Sequence, residues 1–389
     1  MKKIVLMILT TVLMLSCVSR NVKTDFDYHV CAFIWPSCHD DSLGRAVLWG
    51  EGNGEWEIIQ KGNPRFEGHY QPKLPLWGYE HDDDPVVVEK WINTALEYGV
   101  NTFIYDWYWF DHYPFLEGAL DNGFLKAPSN QKMEFFIMWA NHDVKYNYWN
   151  YHKYGENEEI LWDGAIDPAD WPVIVNRVIT KYFGLPNYTK INGCPVFAMF
   201  SAENFVESFD NDPVKALEAM NYLREEVRKA GYPDVHYMMI DGAAPKLNEK
   251  DQAKVALGLK LKPDSWAWYN MGGFNCDYLT HCENAVKLRD YWAEQVDIPL
   301  FPCVTISWDD TPRFPKKGAE RVTRFHNTPD AFAQYLRQAK EYADLKASEQ
   351  PKFIMINAWN EWVEGSYLLP DKLNGFSYLE AVKSVMSEK

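Results

Sequence analysis

The chain has 389 residues, a formal net charge of −16 and an aromatic content of 16%, with 17 Trp and 23 Tyr. So acidic a chain lacks the basic surface that would hold nucleic acid or an anionic lipid layer, and no nucleic-acid partner is expected. Its length suits one barrel-sized domain with insertions better than two separate domains, since such domains run from about 200 to more than 400 residues.

In chain order, Lys2 and Lys3 precede the apolar stretch Ile4 to Leu15. That stretch is shorter than the roughly 20 residues a bilayer span needs and reads as a secretory signal. Met14-Leu15-Ser16-Cys17 resembles a bacterial lipobox, in which the peptidase cuts before the cysteine and the cysteine carries the lipid. The expected organisation is a signal peptide over 1–16, a lipidated tether over 17–26 and a catalytic domain over 27–389. An ordinary cleaved signal is the alternative. Either way the protein lies outside the cytoplasm; as a lipoprotein it would sit in the cell envelope and touch the membrane through its anchor only. Cys31, Cys38, Cys194, Cys276, Cys282 and Cys303 permit disulfides or buried thiols, with Cys276–Cys282 and then Cys31–Cys38 the closest pairs. None has zinc-ligand spacing, and neither metal nor cofactor is expected.

Short apolar runs then alternate with helical patterns, the signature of βα units around a parallel sheet. Strands are expected at Tyr28–Trp35, Thr102–Trp107, Glu134–Trp139, Pro195–Phe200, Val235–Ile240, Ser265–Tyr269, Leu300–Ser307 and Phe353–Ala358. Helices are expected at Pro85–Tyr98, Trp171–Tyr182, Val214–Lys229, Tyr278–Gln295, Asp330–Ala343 and Tyr378–Met386. Eight such strands predict a closed (β/α)8 barrel, and no Gly-rich phosphate loop follows the first strand as an open doubly wound sheet would have.

In a barrel of this kind the site lies at the C-terminal ends of the strands. The residues there are carboxylates, amides and aromatics: Asp106, Trp107 and Tyr108; Trp139 and Asn141; Asp241; Tyr269; Trp308 and Asp309; Asn360 and Trp362. Rings with polar edges and hydrogen-bonding side chains suit a carbohydrate, so these are candidate substrate-binding residues. Two long insertions, about 37–84 and 142–167, sit on the same rim, and loops of that length without regular structure are usually functional. The first holds Glu51, Glu55, His69 and Tyr70 and is expected to wall one side of the cleft.

Glu361 and Glu364 are the candidate catalytic pair. Residues three apart on an extended strand face opposite ways, but a helical turn after Asn360, closed at Gly365, brings both to one side. Two nearby acids raise the cost of ionising each other, which splits them into the protonated and ionised groups that glycoside hydrolysis commonly uses. Trp359 and Trp362 are expected to exclude water around them. The competing reading is a rim salt bridge from one glutamate to Arg313 or Lys316, and Asp106, Asp241 and Asp309 are rival acids.

With these motifs the sequence resembles the glycoside hydrolase family 99-like, or WbsX-type, domain proteins. The resemblance rests on Trp49-Gly50-Glu51-Gly52 with Glu55-Trp56, Pro64 with Phe66-Glu67-Gly68-His69-Tyr70-Gln71-Pro72, and Tyr98-Gly99-Val100. It continues through Trp139-Ala140-Asn141, Ile191–Val196, Trp308–Arg313 and Asn357–Gly365. It implies a barrel acting on an oligo- or polysaccharide. The family 99 motif Asn-Glu-Trp-x-Glu, matched by Asn360–Glu364, assigns roles. Glu361 would be the base on the sugar 2-hydroxyl, which forms a 1,2-anhydro intermediate. Glu364 would protonate the leaving oxygen and then activate water, with net retention. Asn141-His142-Asp143 departs from the family's usual Asn-Glu-Asn-Trp, and Asp310 stands where Asn is common. Some relatives are labelled glycosyltransferases, so transfer is one alternative function and non-catalytic glycan binding another.

Overall fold

The computed structural model describes residues 26–244, 246–271, 276–315 and 324–388. The signal, Cys17, most of the tether and Lys316 lie outside the described residues. Eight parallel strands form the barrel wall: β1 (His29–Ile34), β2 (Thr102–Phe110), β3 (Glu134–Trp139), β4 (Cys194–Met199), β5 (His236–Ala243), β6 (Ser265–Asn270), β7 (Cys303–Thr305) and β8 (Phe353–Asn357). Their order is β6-β5-β4-β3-β2-β1-β8-β7. Between β6 and β7 the wall closes just before the short β7, where Trp266 N donates to Pro299 O and Phe301 N donates to Trp266 O, both at 2.8 Å. The protein is a (β/α)8 barrel. Strands covered on both faces need apolar residues at nearly every position, and every residue of β2, TFIYDWYWF, is buried.

Around the barrel lie α1 (Ser42–Val47), α2 (Trp56–Ile59), α3 (Pro85–Glu97), α4 (Tyr146–Tyr154), α5 (Trp171–Val178), α6 (Ala202–Glu207), α7 (Pro213–Lys229), α8 (Glu249–Lys260), α9 (Tyr278–Gln295), α10 (Pro329–Leu345) and α11 (Ser377–Ser387). Three of them start alike: Asp84, Asp212 and Thr328 cap the first turn with a side-chain oxygen, and a proline with no N–H to waste follows at once. Every expected helix forms, though Trp171–Tyr182 changes at Ile179 into a π-helical turn. Helix α8 was not foreseen. Asn248 caps it, but only Val255 and Gly258 are buried, so it carries little apolar periodicity. The segment between β2 and β3 has no α-helix; a π turn (Ala119–Gly123) and a 3-10 turn (Phe124–Lys126) cover the barrel there.

The two insertions are not structureless, because α1 and α2 lie in the first and α4 in the second. Cys31 and Cys38 are buried thiols rather than a bridge. Among the described residues no helix is long and apolar enough to cross a membrane.

Candidate active site

The chain turns sharply after β8. Asn360–Glu361 pairs antiparallel with Ser366–Tyr367, residues Trp362–Glu364 make a 3-10 turn, and Gly365 closes it with φ +67°, a left-handed conformation in which a glycine carries no Cβ penalty. Glu361 and Glu364 consequently line one pocket of about 270 Å³ at the C-terminal end of the barrel. Trp35, Tyr108, Trp149, His142, Phe200 and Tyr269 make its aromatic wall, and Asp106, Asn270, Trp308 and Arg313 complete the polar part.

Arg313 organises the acids. Its Nη1 donates to Glu364 Oε1 at 2.7 Å, and its Nη2 lies 3.5 Å from Glu55 Oε1 and 3.8 Å from Glu361 Oε1. The guanidinium also stands 4.5 Å from the centre of the Tyr148 ring, and the Tyr148 hydroxyl donates to Glu364 Oε1 at 3.1 Å. Tyr269 donates its hydroxyl to Glu361 Oε2 at 3.1 Å. Burial, and then the nearby charge of Glu364, push the Glu361 carboxyl well above the usual range, and Arg313 offsets this only in part. Asp106 is pushed up in the same way, by burial first and Glu364 second, against a hydrogen bond from Tyr269. Burial pushes His142 down, toward its neutral form.

The arrangement therefore places a carboxyl raised by burial beside a second one that accepts a hydrogen bond from a guanidinium, inside an aromatic pocket. That is the chemistry needed to protonate one oxygen and draw a proton from another. The salt bridge to Arg313 and a site in the pocket are not exclusive, since Glu364 has both.

Of the expected binding residues, Asp106, Tyr108, Tyr269 and Trp308 share this pocket with the two glutamates. Others stand elsewhere. Residues alternate across a strand, so Asp106 and Tyr108 face the barrel interior while Trp107 points outward and donates Nε1 to Glu117 at 2.7 Å. Trp139 likewise packs outside, stacked on Trp171 at 5.6 Å between centroids. Asp241 accepts from Trp266 Nε1 at 3.0 Å, and burial lifts its pKa to about 7; its neighbour Gly242 lines the pocket instead. Asn141 exchanges two backbone hydrogen bonds with Ser201, and Asn360 does the same with Trp35, each tying two loops together. Trp362 stacks on Tyr367 at 3.8 Å and Trp359 packs on Phe103, so neither borders the pocket. Glu55 lies behind it, accepting from Trp35 Nε1 and Ser37 Oγ while facing Arg313. His69, Tyr70 and Asp309 line a second cavity of about 280 Å³ on the far side of Gly365. There Asp309 accepts from His69 Nε2 and Gln71 Nε2 and pairs with Lys73. Among the described residues no cluster of His, Cys, Asp and Glu is arranged to hold a metal ion.

Sequence reasoning did not single out Trp35, Tyr148, Trp149, Phe200 or Asn270 as site residues, and it weighed Arg313 only as a salt-bridge partner. Phe200 and Asn270 do sit at strand ends, where the barrel rule looks for them. For Tyr148 and Trp149 the available signal is the aromatic run Tyr146–Tyr151 in the second insertion.

The fold and site make the chain a (β/α)8 barrel with paired acids and aromatic rings at its C-terminal mouth. The chain belongs to the WbsX family: the family described as Glycosyltransferase WbsX matches residues 30–382. Among curated relatives it is 27% identical over 369 residues to the uncharacterized protein WxcX of Xanthomonas campestris pv. campestris, covering 92% of this chain and 49% of that protein. The chain thus spans about half the length of the curated relatives it matches. Among solved structures it is similar to the GH99 endo-alpha-mannosidase from Bacteroides thetaiotaomicron, with a TM-score of 0.58 and 14% identity over 93% of this chain and 97% of that one. A glycoside hydrolase-like protein gives a TM-score of 0.59, also at 14% identity, covering 93% and 95%. At these identities the likeness carries the fold alone.

Proposed function

We propose that the protein is a glycoside hydrolase that cleaves bonds in a polysaccharide or complex glycan, with Glu361 and Glu364 as its acid–base pair. The observation that carries this is the shared pocket: one turn presents both glutamates, and Arg313 and Tyr148 hold Glu364 while Glu361 keeps a proton. Following the resemblance, Glu361 takes the proton of the sugar 2-hydroxyl as that oxygen attacks the anomeric carbon. Glu364 protonates the departing oxygen and then draws a proton from the water that opens the 1,2-anhydro ring, while Glu361 returns its proton to the 2-oxygen, so configuration is retained. Burial raises the Glu361 carboxyl in the pocket, so it must give up that proton before it can serve as the base. The lipobox-like Cys17 supports an envelope lipoprotein, with the glycan met outside the cytoplasm.

The name of the matching family favours a second reading, glycosyl transfer. Release of new reducing ends from a broad glycan panel without any nucleotide-sugar donor distinguishes the two. Glu364→Gln is expected to lower turnover by about 10²–10⁴-fold, the range for a positioned acid–base group, while leaving glycan affinity nearly intact. Wild-type turnover in that variant would remove Glu364 from the chemistry. Binding without cleavage anywhere in the panel would favour a glycan receptor.

A further inference from the structure

We infer that the second cavity, on the far side of Gly365, is a binding site for a sugar unit that carries a carboxylate, with the Lys73 ammonium and the Ser307 hydroxyl as the donors that hold the acid group. The cavity, about 280 Å³, matches the catalytic pocket in size and shares no lining residue with it. Trp308 lines the catalytic pocket while its neighbours Ser307 and Asp309 line the second cavity, and Glu364 and Gly365 divide in the same way. Lys73 carries the inference. Its side chain is 12% exposed, yet among the described residues its ammonium makes no hydrogen bond. The acceptor beside it, Asp309 Oδ2 at 3.3 Å, is already taken by His69 Nε2 at 2.9 Å and Gln71 Nε2 at 2.7 Å. Asp309 Oδ1 is taken by the N–H and hydroxyl of Thr311. A carboxylate offers about two acceptor sites on each oxygen, so Asp309 is filled without Lys73. The ammonium is left with a charge contact and with the face of Tyr70, 5.2 Å from the ring centre. An ammonium so enclosed and lacking an acceptor is costly, and a ligand carboxylate supplies the acceptor. Ser307, 6% exposed, has a hydroxyl that likewise bonds nothing among the described residues.

The other open groups set the rest of the ligand. Asn327 Nδ2 donates to Ile306 O at 3.4 Å and to the Tyr378 hydroxyl at 3.1 Å, and Asn374 Nδ2 donates to Asp371 at 3.3 Å. Each amide therefore keeps its oxygen as an unfilled acceptor, which a sugar hydroxyl matches. Tyr70, Tyr367 and Tyr378 wall the cavity, and Phe66 and Leu373, 40% and 62% exposed, stand at its edge. These are apolar surfaces for the C–H face of a ring. One ammonium serves one acid group, and a chain of net charge −16 repels a polyanion. The ligand thus bears a single carboxylate rather than a run of them. Asp309 N also donates to Glu364 O at 2.7 Å, so the bound unit rests against the back of the turn that presents Glu364.

The test is calorimetric titration of the full chain with glucuronate, galacturonate and mannuronate, each beside its neutral parent sugar. At least one uronate is expected to bind, with its parent weaker by about tenfold or more, the weight of one charge-assisted hydrogen bond. Lys73→Met should erase that preference, and Ser307→Ala should weaken the uronate without lowering the melting temperature, because that hydroxyl satisfies nothing in the fold. Glu361→Gln, a change in the other pocket, should leave uronate affinity as it is. A disaccharide ending in the same uronate and binding as tightly marks a glycan unit as the ligand, and binding of the free acid alone marks a small molecule; both support the carboxylate site. No uronate binding, a parent sugar binding equally well, or loss of uronate binding in Glu361→Gln would overturn the inference. So would unchanged uronate affinity in Ser307→Ala, the variant that decides the matter if Lys73→Met fails to fold. The site does not depend on the hydrolase reading: the expected binding with no hydrolysis of any glycan sinks that reading alone, and hydrolysis with no uronate binding sinks this inference alone.

Discussion

Glu361→Gln should make the protein more stable while removing its catalysis, and the gain should grow with pH. An unfolded glutamate ionises near pH 4.3, whereas burial and the charge of Glu364 keep Glu361 protonated well above that in the folded state. A carboxyl raised in this way favours the folded state fully below the unfolded pKa and loses that advantage as pH rises toward the folded value. Across that window the wild type sheds about 1.4 kcal/mol per pH unit relative to a side chain that never ionises. Glutamine has nearly the same shape, keeps an oxygen for the Tyr269 hydroxyl, and carries no charge to desolvate. From pH 5 to pH 7 the gap in unfolding free energy between variant and wild type should therefore widen by up to about 3 kcal/mol. Arg313, 3.8 Å away, trims this from the upper bound. Urea unfolding of both proteins at pH 5, 6 and 7 measures it. A gap that stays constant with pH, or a variant less stable than wild type at pH 7, would show that Glu361 is not held protonated and would refute the account of the pocket.

Gly365→Ala forces a left-handed conformation on a residue with a Cβ, costing about 1–2 kcal/mol, and that Cβ would meet Asp309 Cβ at 3.0 Å. Thermal melting should show the loss, and turnover should fall more than substrate affinity because the same turn carries Glu364. Burial would raise the Asp309 carboxyl, but the hydrogen bond from His69 and the charges of Lys73 and His69 outweigh it and hold the group well below the usual range. Its contribution to stability is present above about pH 4 and is lost as pH falls toward the folded value. Asp309→Asn should therefore be less stable than wild type at pH 7, with the gap closing in urea titrations below pH 4. His39 is the opposite case: burial lowers its pKa, but Asp82, with Oδ1 at 2.6 Å, outweighs burial and raises it. Its contribution is complete below about pH 6.5 and fades as pH climbs through the raised value. His39→Gln should lower the unfolding midpoint at pH 6 and lower it less at pH 9.

The barrel was legible because its signals are local and periodic. Each expected strand lies within a residue or two of an observed one, except that β2 runs on to Phe110, β5 runs on to Ala243 and only Cys303–Thr305 of the expected seventh strand is regular. Much of the site was legible from position alone, since the strand-end rule pointed to Asp106, Tyr108, Tyr269 and Trp308. The same rule failed for Trp107, Trp139 and Asp241 because it gives the height of a residue on the barrel but not the face it takes. Alternation along β2 admits Asp106 and Tyr108 to the interior and sends Trp107 outward. Asn141 and Asn360 misled for another reason: an amide that bridges two loop backbones has the same sequence appearance as one that holds a sugar. Arg313 and Tyr148 were hidden because their importance arises from contacts across 51 and 216 residues of sequence.

Those long-range contacts bear on which glutamate does what. The motif Asn360–Glu364 brings two acids to one turn, but within that turn nothing distinguishes them. The asymmetry comes from outside: Arg313 from the β7 loop and Tyr148 from the second insertion both bond Glu364 Oε1, while Glu361 receives only the Tyr269 hydroxyl. Glu55, brought by the first insertion and held by Trp35 and Ser37, stands behind Arg313 and fixes its direction. The surroundings of the two glutamates are thus set jointly by both insertions and the β7 loop.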